Sequence, residues 1–372
     1  MGNKLDTKVI CTLNDAWTEW LKGNKFPIAF FGDSTIDGAN TSNWIENSIG
    51  TDHQPPYAFP KRLEKLLIEA TSNPSLRIYN AGFSGRTSSH GVEYLEEEFS
   101  GSSPYHDVKM VGIGFGINDR LLYENEKAYR DGFKANIKAM IHWFYSKNIQ
   151  PFLLTTQAIL QPGVSTQYAD EYPMRTSCHI ETIANEVKRE LAKEYHLELI
   201  DVNQFTEMFL LYSAYSAVDI ISDTLHFGDI GHQYEAELLF AHLCPQTIII
   251  DSNTKIDYST QKIINSVPDD WVTMAKKVED KFKVFVNHIK ADAEDMKIMD
   301  VWVFNSGKEK IMLKAFKSIP ETLTYVKVNG VLSRLTNLET ILDLLDLGLH
   351  RIEVFTGAST FVDFKGFIMT YL

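Results

Sequence analysis

Short apolar runs alternate with amphipathic helical patterns over the first two-thirds of the chain. Pro27-Ile28-Ala29-Phe30-Phe31 reads as a buried strand. So do Arg77-Ile78-Tyr79, Met110-Val111-Gly112-Ile113-Gly114-Phe115, Pro151-Phe152-Leu153-Leu154 and Leu197-Glu198-Leu199-Ile200. Between the third and fourth, Tyr129, Phe133, Ile137, Ile141 and Phe144 recur every three or four positions and predict one long helix. Ile180, Ala184, Val187 and Leu191 predict another before the fifth strand, and Ile230, Tyr234 and Leu238 mark a later one. Strands alternating with such helices predict a parallel sheet covered on both faces. Ligands of such sheets bind outside the carboxyl ends of the strands, so chemistry is expected directly after each strand.

The pattern changes near residue 250. The apolar run Ile248-Ile249-Ile250 gives way to the polar Asp251-Ser252-Asn253-Thr254. Beyond it, strand-like runs at 300–304, 311–316, 324–328 and 351–355 are separated by turn signals. Asn329-Gly330 is a strong hairpin signal. The expected organisation is one α/β domain over residues 1–250 and a smaller β-rich domain over 251–372, a β-sandwich in outline with one helix near 338–347.

Composition narrows the classes of function. The 372 residues are 44% hydrophobic and 23% charged, which suits a globular protein of about two domains. Thirty-six Lys and Arg against 49 Asp and Glu leave a net charge of −13. Such a chain is not expected to bind nucleic acid, because it has no excess of cations to displace counterions from phosphates. Nor is it expected to dock on an anionic membrane. Cys11, Cys178 and Cys244 are scattered and odd in number, which argues against a disulfide framework or a Cys-rich zinc site. The opening Met1-Gly2-Asn3-Lys4-Leu5-Asp6 leads into no apolar segment of a signal peptide, and Asp6 breaks the myristoylation pattern. No apolar run is long enough to span a bilayer. The chain therefore reads as soluble and reduced, either cytoplasmic, virion-associated, or secreted with its signal removed.

Four segments carry candidate chemistry. Gly32-Asp33-Ser34-Thr35 follows the first strand, and Ser34 there is either a nucleophile awaiting a base or, with Asp33, a cap for the next helix. Asn80-Ala81-Gly82-Phe83-Ser84-Gly85-Arg86-Thr87 follows the second strand. Its glycines could present backbone N–H groups to an oxyanion, or simply make a turn. Ser84 is a rival nucleophile, but its surroundings fail the Gly-x-Ser-x-Gly pattern. In the third segment, Gly112-Ile113-Gly114-Phe115-Gly116-Ile117-Asn118-Asp119, Ile117 and Asp119 stand where a dinucleotide fingerprint needs glycine. The segment instead delivers Asn118 to the sheet edge, as a second oxyanion donor or as part of a turn. The fourth, Asp223-Thr224-Leu225-His226, places a carboxylate within reach of an imidazole, the pair a serine needs as its base. His232 reads as structural, and a metal site from His226, His232 and His242 is disfavoured by their spacing.

Taken in order, the four segments resemble the SGNH, or GDSL-type, hydrolase family, with the likeness running over about residues 25–245. Gly32-Asp33-Ser34 matches the first block, with Thr35 in place of the commoner leucine. Asn80–Thr87 matches the second, Gly116-Ile117-Asn118-Asp119 the third and Asp223-Thr224-Leu225-His226 the last. The resemblance implies a flavodoxin-like three-layer α/β/α fold and ester hydrolysis without cofactor or metal. It implies Ser34, Asp223 and His226 as the catalytic residues, with Ser34, Gly85 and Asn118 supplying the oxyanion hole. Gly32-Asp33-Ser34-Thr35 together with Gly85-Arg86-Thr87-Ser88 is more similar to the carbohydrate acetylesterase branch than to the lipases. The C-terminal pattern is similar to β-sandwich modules joined to carbohydrate esterases and phage tail proteins.

Two long segments are expected to wall the site. One holds Trp44, His53, Pro55, Pro56 and Tyr57, the other Gln161, Tyr168 and Tyr172. Neither has a greasy stretch for a fatty tail, which favours a short acyl group, an O-acetyl ester on a carbohydrate or polysaccharide. An acyltransferase on the same scaffold stays open, as does a carbohydrate-binding or structural, phage-tail-like protein that has kept the hydrolase fold.

Overall fold

A computed structural model of the chain describes residues 9–159, 180–223, 225–245, 247–250, 273–278, 281–286, 297–306, 310–316, 324–337, 339–356 and 366–371. The chain divides into two compact units, Met1–Leu243 and Cys244–Leu372.

The first unit opens with helix α1 (Leu13–Leu21), capped by a reciprocal Thr12–Asp15 box. Strand β1 (Ile28–Gly32), helix α2 (Ser34–Asp37) and helix α3 (Phe59–Thr71) follow. Strand β2 (Ile78–Gly82) leads to α4 (Ser88–Glu93) and α5 (Leu95–Phe99). Strand β3 (Met110–Ile113), a 3₁₀ turn (Asp119–Leu121), α6 (Glu126–Ser146) and β4 (Gln150–Leu154) come next. A π-helical turn (Ile180–Asn185) runs into α7 (Glu186–Tyr195). The unit ends with β5 (Leu199–Ile200), α8 (Val202–Tyr212), α9 (Ala217–Ile220) and α10 (Asp229–Leu243).

The five strands form one parallel sheet in the order β2-β1-β3-β4-β5. Neighbouring residues of β1 show why both faces are covered, since successive side chains of a strand point opposite ways. Phe30 packs edge-on against Phe59 of α3, whereas Phe31 packs against Phe144 of α6. The α6 stripe Tyr129, Phe133, Ile137, Ile141 and Phe144 is fully buried in one cluster with Phe31. At about 1.5–3 kcal/mol per buried large apolar side chain, that stripe alone anchors α6 firmly to the sheet. Helices α1, α3, α8 and α10 pack together in one layer, and α4, α6 and α7 in the other. The result is the three-layer α/β/α architecture.

Among the described residues, the second unit holds two five-stranded sheets. One runs β13 (Glu339–Leu345), β10 (Ile311–Phe316), β15 (Gly366–Tyr371), β8 (Lys281–Val286), β7 (Thr273–Val278). The other runs β12 (Val331–Arg334), β11 (Thr324–Val328), β14 (Gly348–Thr356), β9 (Lys297–Asn305), β6 (Thr247–Ile250). Strands β11 and β12 form the hairpin expected at Asn329-Gly330, with Val328 opposite Val331. Two expectations differ from the structure. The segment expected as a helix near 338–347 is strand β13, paired antiparallel with β10. The run Ile248–Ile250, assigned from the sequence to the end of the first domain, pairs in parallel with β9 of the second unit. Among the described residues no helix is long and apolar enough to cross a membrane.

Candidate active site

The site begins at the reversal point of the sheet. Strand β1 has β2 on one side and β3 on the other, so the crevice outside the carboxyl ends opens directly after it. Asp33 caps α2 there. Its Oδ1 accepts the Thr35 N–H at 3.1 Å and the Thr35 hydroxyl at 2.8 Å. Capping is therefore done by Asp33, and the Ser34 hydroxyl is left for another partner. That partner is His226, whose Nε2 lies 2.7 Å from Ser34 Oγ.

His226 is presented by a small closed loop between α9 and α10. An isolated bridge joins Ile221 to Phe227, and the Ser222 N–H donates to the His226 carbonyl at 3.0 Å. Inside the loop, Asp223 Oδ1 accepts the backbone N–H groups of Leu225 (3.0 Å) and His226 (2.7 Å). Asp223 Oδ2 lies 2.7 Å from His226 Nδ1. A carboxylate only accepts, so Nδ1 carries the proton and Nε2 offers its lone pair to Ser34. Burial raises the pKa of Asp223, but the hydrogen bonds from the His226 ring and backbone outweigh it and hold the carboxyl well below its usual range. The buried side chain of Gln157, just after β4, donates to the Leu225 carbonyl at 2.7 Å and braces the loop from the sheet.

The second and third segments meet beside this pair. Ser84 donates its hydroxyl to Asp37 Oδ2 at 2.7 Å, which removes it from contention as a nucleophile. Asp37 also accepts Trp44 Nε1 (3.0 Å) and the Asn47 N–H (3.3 Å), so it ties the wall after β1 to the floor; burial raises its pKa to about 6. Gly85 has φ +72°, left-handed backbone that favours glycine. Among the described residues no backbone acceptor takes the N–H of Ser34 or Gly85. Asn118 donates one N–H of its amide to the Arg86 carbonyl at 2.9 Å, which orients the amide next to the Gly85 turn. Asp33 Oδ2 accepts the N–H groups of Gly116 (3.0 Å) and Ile117 (3.1 Å). The residue that caps the Ser34 helix thus also holds the loop that carries Asn118. Asp119 turns inward to the backbone N–H and hydroxyl of Ser88, and burial raises its pKa to about 6.

Ser34, His226 and Asp223 are thus joined by two hydrogen bonds, and Asn118 is joined to the Gly85 segment through Arg86. The two other histidines weighed as metal ligands, His232 and His242, are used elsewhere. His232 accepts the Phe59 N–H at Nδ1 (3.3 Å) and is fully buried, which lowers its pKa to about 3. His242 bonds through Nδ1 to the Leu238 carbonyl. Sequence reasoning missed Gln157 and the double role of Asp33. Only the position of Gln157 after a strand could have flagged it. Of the expected wall, Gln161, Tyr168 and Tyr172 lie outside the described residues, as does Thr224 of the last block.

A serine hydroxyl, an imidazole with its free nitrogen toward that hydroxyl, and a carboxylate behind the imidazole are the equipment of acyl transfer. The GDSL-like lipase/acylhydrolase family model matches residues 30–234, more than half of the chain, and the chain belongs to that family. The protein is a serine ester hydrolase. No curated protein matches the chain. Among solved structures it is similar to a lipase/acylhydrolase from Enterococcus faecalis (22% identity, TM-score 0.43, covering 57% of this chain and 93% of that one). It is also similar to an acetyl xylan esterase from Geobacillus stearothermophilus (20% identity, TM-score 0.44, 59% of this chain and 94% of that one). A two-domain esterase active on acetylated mannans aligns over 99% of this chain and 98% of its own, at 15% identity and a TM-score of 0.43.

Proposed function

We propose that the protein removes short acyl groups, O-acetyl esters in the first instance, from a carbohydrate or polysaccharide, with Ser34 as nucleophile. The observation that carries the mechanism is the unbroken hydrogen-bond chain Ser34–His226–Asp223. His226 Nε2 takes the Ser34 proton as Oγ attacks the ester carbonyl, and Asp223 stabilises the imidazolium. The N–H groups of Ser34 and Gly85 and the Asn118 amide receive the charge on the carbonyl oxygen. His226 then hands its proton to the leaving alcohol. In the second half it takes a proton from water as the water oxygen attacks the acyl-enzyme, and it returns that proton to Ser34 Oγ as the acyl–Oγ bond breaks and the acid is released.

The preference for a short acyl group rests on the wall after β1. Among its described residues Asn47 and Gln54 donate to the Asn80 carbonyl of β2 at 3.4 Å each, and Thr41 donates to the Gly38 carbonyl at 2.7 Å, so polar side chains hold this segment, which has no greasy stretch for a fatty tail. The carbohydrate rests on the motif resemblance at Gly32–Thr35 and Gly85–Ser88. The β-rich unit is assigned a role in holding or placing large substrates.

The test is hydrolysis of chromogenic acetate, butyrate and octanoate esters, and acetate release from an acetylated polysaccharide. Wild-type activity is expected to fall with chain length. Ser34→Ala should lose about 10⁴-fold or more in kcat with the fold kept, while Ser84→Ala keeps most activity. An active Ser34→Ala enzyme, or organophosphonate labelling of a different serine, overturns the assignment.

A further inference from the structure

We infer that Lys188 is a positioning residue whose buried ammonium, set directly behind Gly116, holds the loop that aims Asn118 at the reaction centre. The inference rests on the esterase reading above.

Lys188 lies on α7 within the core-facing stripe of Ala184, Val187 and Leu191 and is completely buried. Lysine is almost never found there without a partner. Its Nζ donates to Thr156 Oγ1 at 3.2 Å. Thr156 is fixed in turn: its N–H donates to Asn185 Oδ1 at 2.7 Å and its carbonyl accepts the Asn185 amide at 3.2 Å. A Cβ built on Gly116 would stand 3.0 Å from Thr156 Oγ1, 3.2 Å from Ala184 Cβ and 3.4 Å from Lys188 Nζ, so these three groups form the surface against which Gly116 lies. The same residue is bonded by its N–H to Asp33 and by its carbonyl to the Tyr129 hydroxyl at 3.3 Å. The loop therefore runs between a carboxylate and an ammonium, two residues before Asn118.

Among the described residues, the charged and titratable groups around Lys188 are few. Asp33 comes from the end of β1, Asp119 and Arg120 from the 3₁₀ turn, Tyr129 from α6, Asp201 from the start of α8 and Arg189 from α7 itself. Asp33, Asp119, Arg120 and Lys188 are all buried, two carboxyls and two cations. Removing the ammonium charge leaves that group with an uncompensated negative charge beside the loop. Burial lowers the Lys188 pKa to about 8, against the pull of Asp33 and Asp119. The proton therefore leaves within a range where enzyme assays are practical.

The sign separates positioning from plain structural support. The folded pKa lies below the 10.5 of a free lysine side chain, so the unfolded chain holds this proton longer. Between about pH 8 and about pH 10.5 the Lys188 contribution to stability rises with pH. Activity is expected to move the other way, falling as the ammonium loses its charge.

The experiment measures kcat, KM and Tm on a chromogenic acetate ester from about pH 6 to about pH 10, for wild type and Lys188→Met. Wild-type kcat should fall through an alkaline limb near pH 8 while KM holds. Lys188→Met should show kcat about 10- to 100-fold lower at neutral pH, KM within about twofold, and no alkaline limb. Wild-type kcat in a folded Lys188→Met protein, or an unchanged limb in it, overturns the inference. If Lys188→Met does not fold, Thr156→Val removes only the acceptor for the charged form and should move the limb to lower pH. A limb that stays in place there, or a flat wild-type kcat from about pH 7 to about pH 10, overturns it equally. Ser34→Ala assayed alongside tests the esterase reading on its own.

Discussion

In the proposed mechanism Asn118 is the oxyanion donor most open to substitution, because it would act through a side chain whereas Ser34 and Gly85 would act through the backbone. One N–H of its amide is held by the Arg86 carbonyl, so the other can be aimed without loss of order. Asn118→Ala is expected to lower kcat by roughly 10²–10³-fold, about 3–4 kcal/mol of transition-state stabilisation. KM should change little, because the bond strengthens only as the carbonyl oxygen gains charge. Measuring kcat, KM and Tm on one preparation checks this; a folded variant with wild-type kcat removes Asn118 from the site. That Ser34, Asp223 and His226 come together was readable from the short Asp223–His226 spacing and the order of the four blocks, and the structure joins them by two hydrogen bonds. Lys188 was not readable, since it interrupts an apolar stripe at a position where a surface lysine would look the same in sequence. The second role of Asp33 was hidden for a related reason. Its link to Gly116 and Ile117 spans more than eighty positions and leaves no local pattern.

The strands and turns decide which backbone can change. Gly82 ends β2 against the backbone of α2, where an added Cβ would stand 2.1 Å from the Asp37 nitrogen and 2.6 Å from the Ile36 carbonyl carbon. Neither atom can move without displacing the helix that carries Ser34. Gly85, three residues on, has open space around it but a φ of +72°. Gly85→Ala should therefore cost about 1–2 kcal/mol of backbone strain. Gly82→Ala should cost more, since overpacking against fixed backbone exceeds the usual 1–3 kcal/mol of core crowding. Thermal unfolding of the two variants should rank Gly82→Ala well below Gly85→Ala, and the reverse order would show that α2 gives way easily. The parallel strands were legible because burial on both faces leaves continuous apolar runs such as Ile28–Phe31. Strand β13 was misread because Leu342, Leu344 and Leu345 suit a helix as well as a strand. Its conformation is decided by pairing with β10, from Ile311–Leu345 to Phe316–Glu339, which no local pattern announces.

The division of the molecule determines how it can be cut. All four sequence blocks fall in the first compact unit, which closes at Leu243 at the end of α10. A boundary drawn from composition falls at residue 250, where the polar run begins, because an apolar segment looks alike whichever sheet receives it. The structure gives Thr247–Ile250 to β9, with Ile248 opposite Val303 and Ile249 opposite Phe304. A fragment ending at 250 would thus carry a β-rich apolar strand stripped of its partner, an edge prone to pair with other copies. A fragment ending at 245 lacks that strand. Residues 1–245 are therefore expected to stay monodisperse and keep kcat on a small acetate ester close to that of the full chain. Residues 1–250 should keep the same chemistry but aggregate more readily. Both fragments should lose rate on an acetylated polysaccharide if the β-rich unit holds large substrates. Size-exclusion profiles of the two fragments, with assays on both substrates, test each part separately. Loss of small-ester activity in a folded 1–245 fragment would show instead that the second unit helps to build the site.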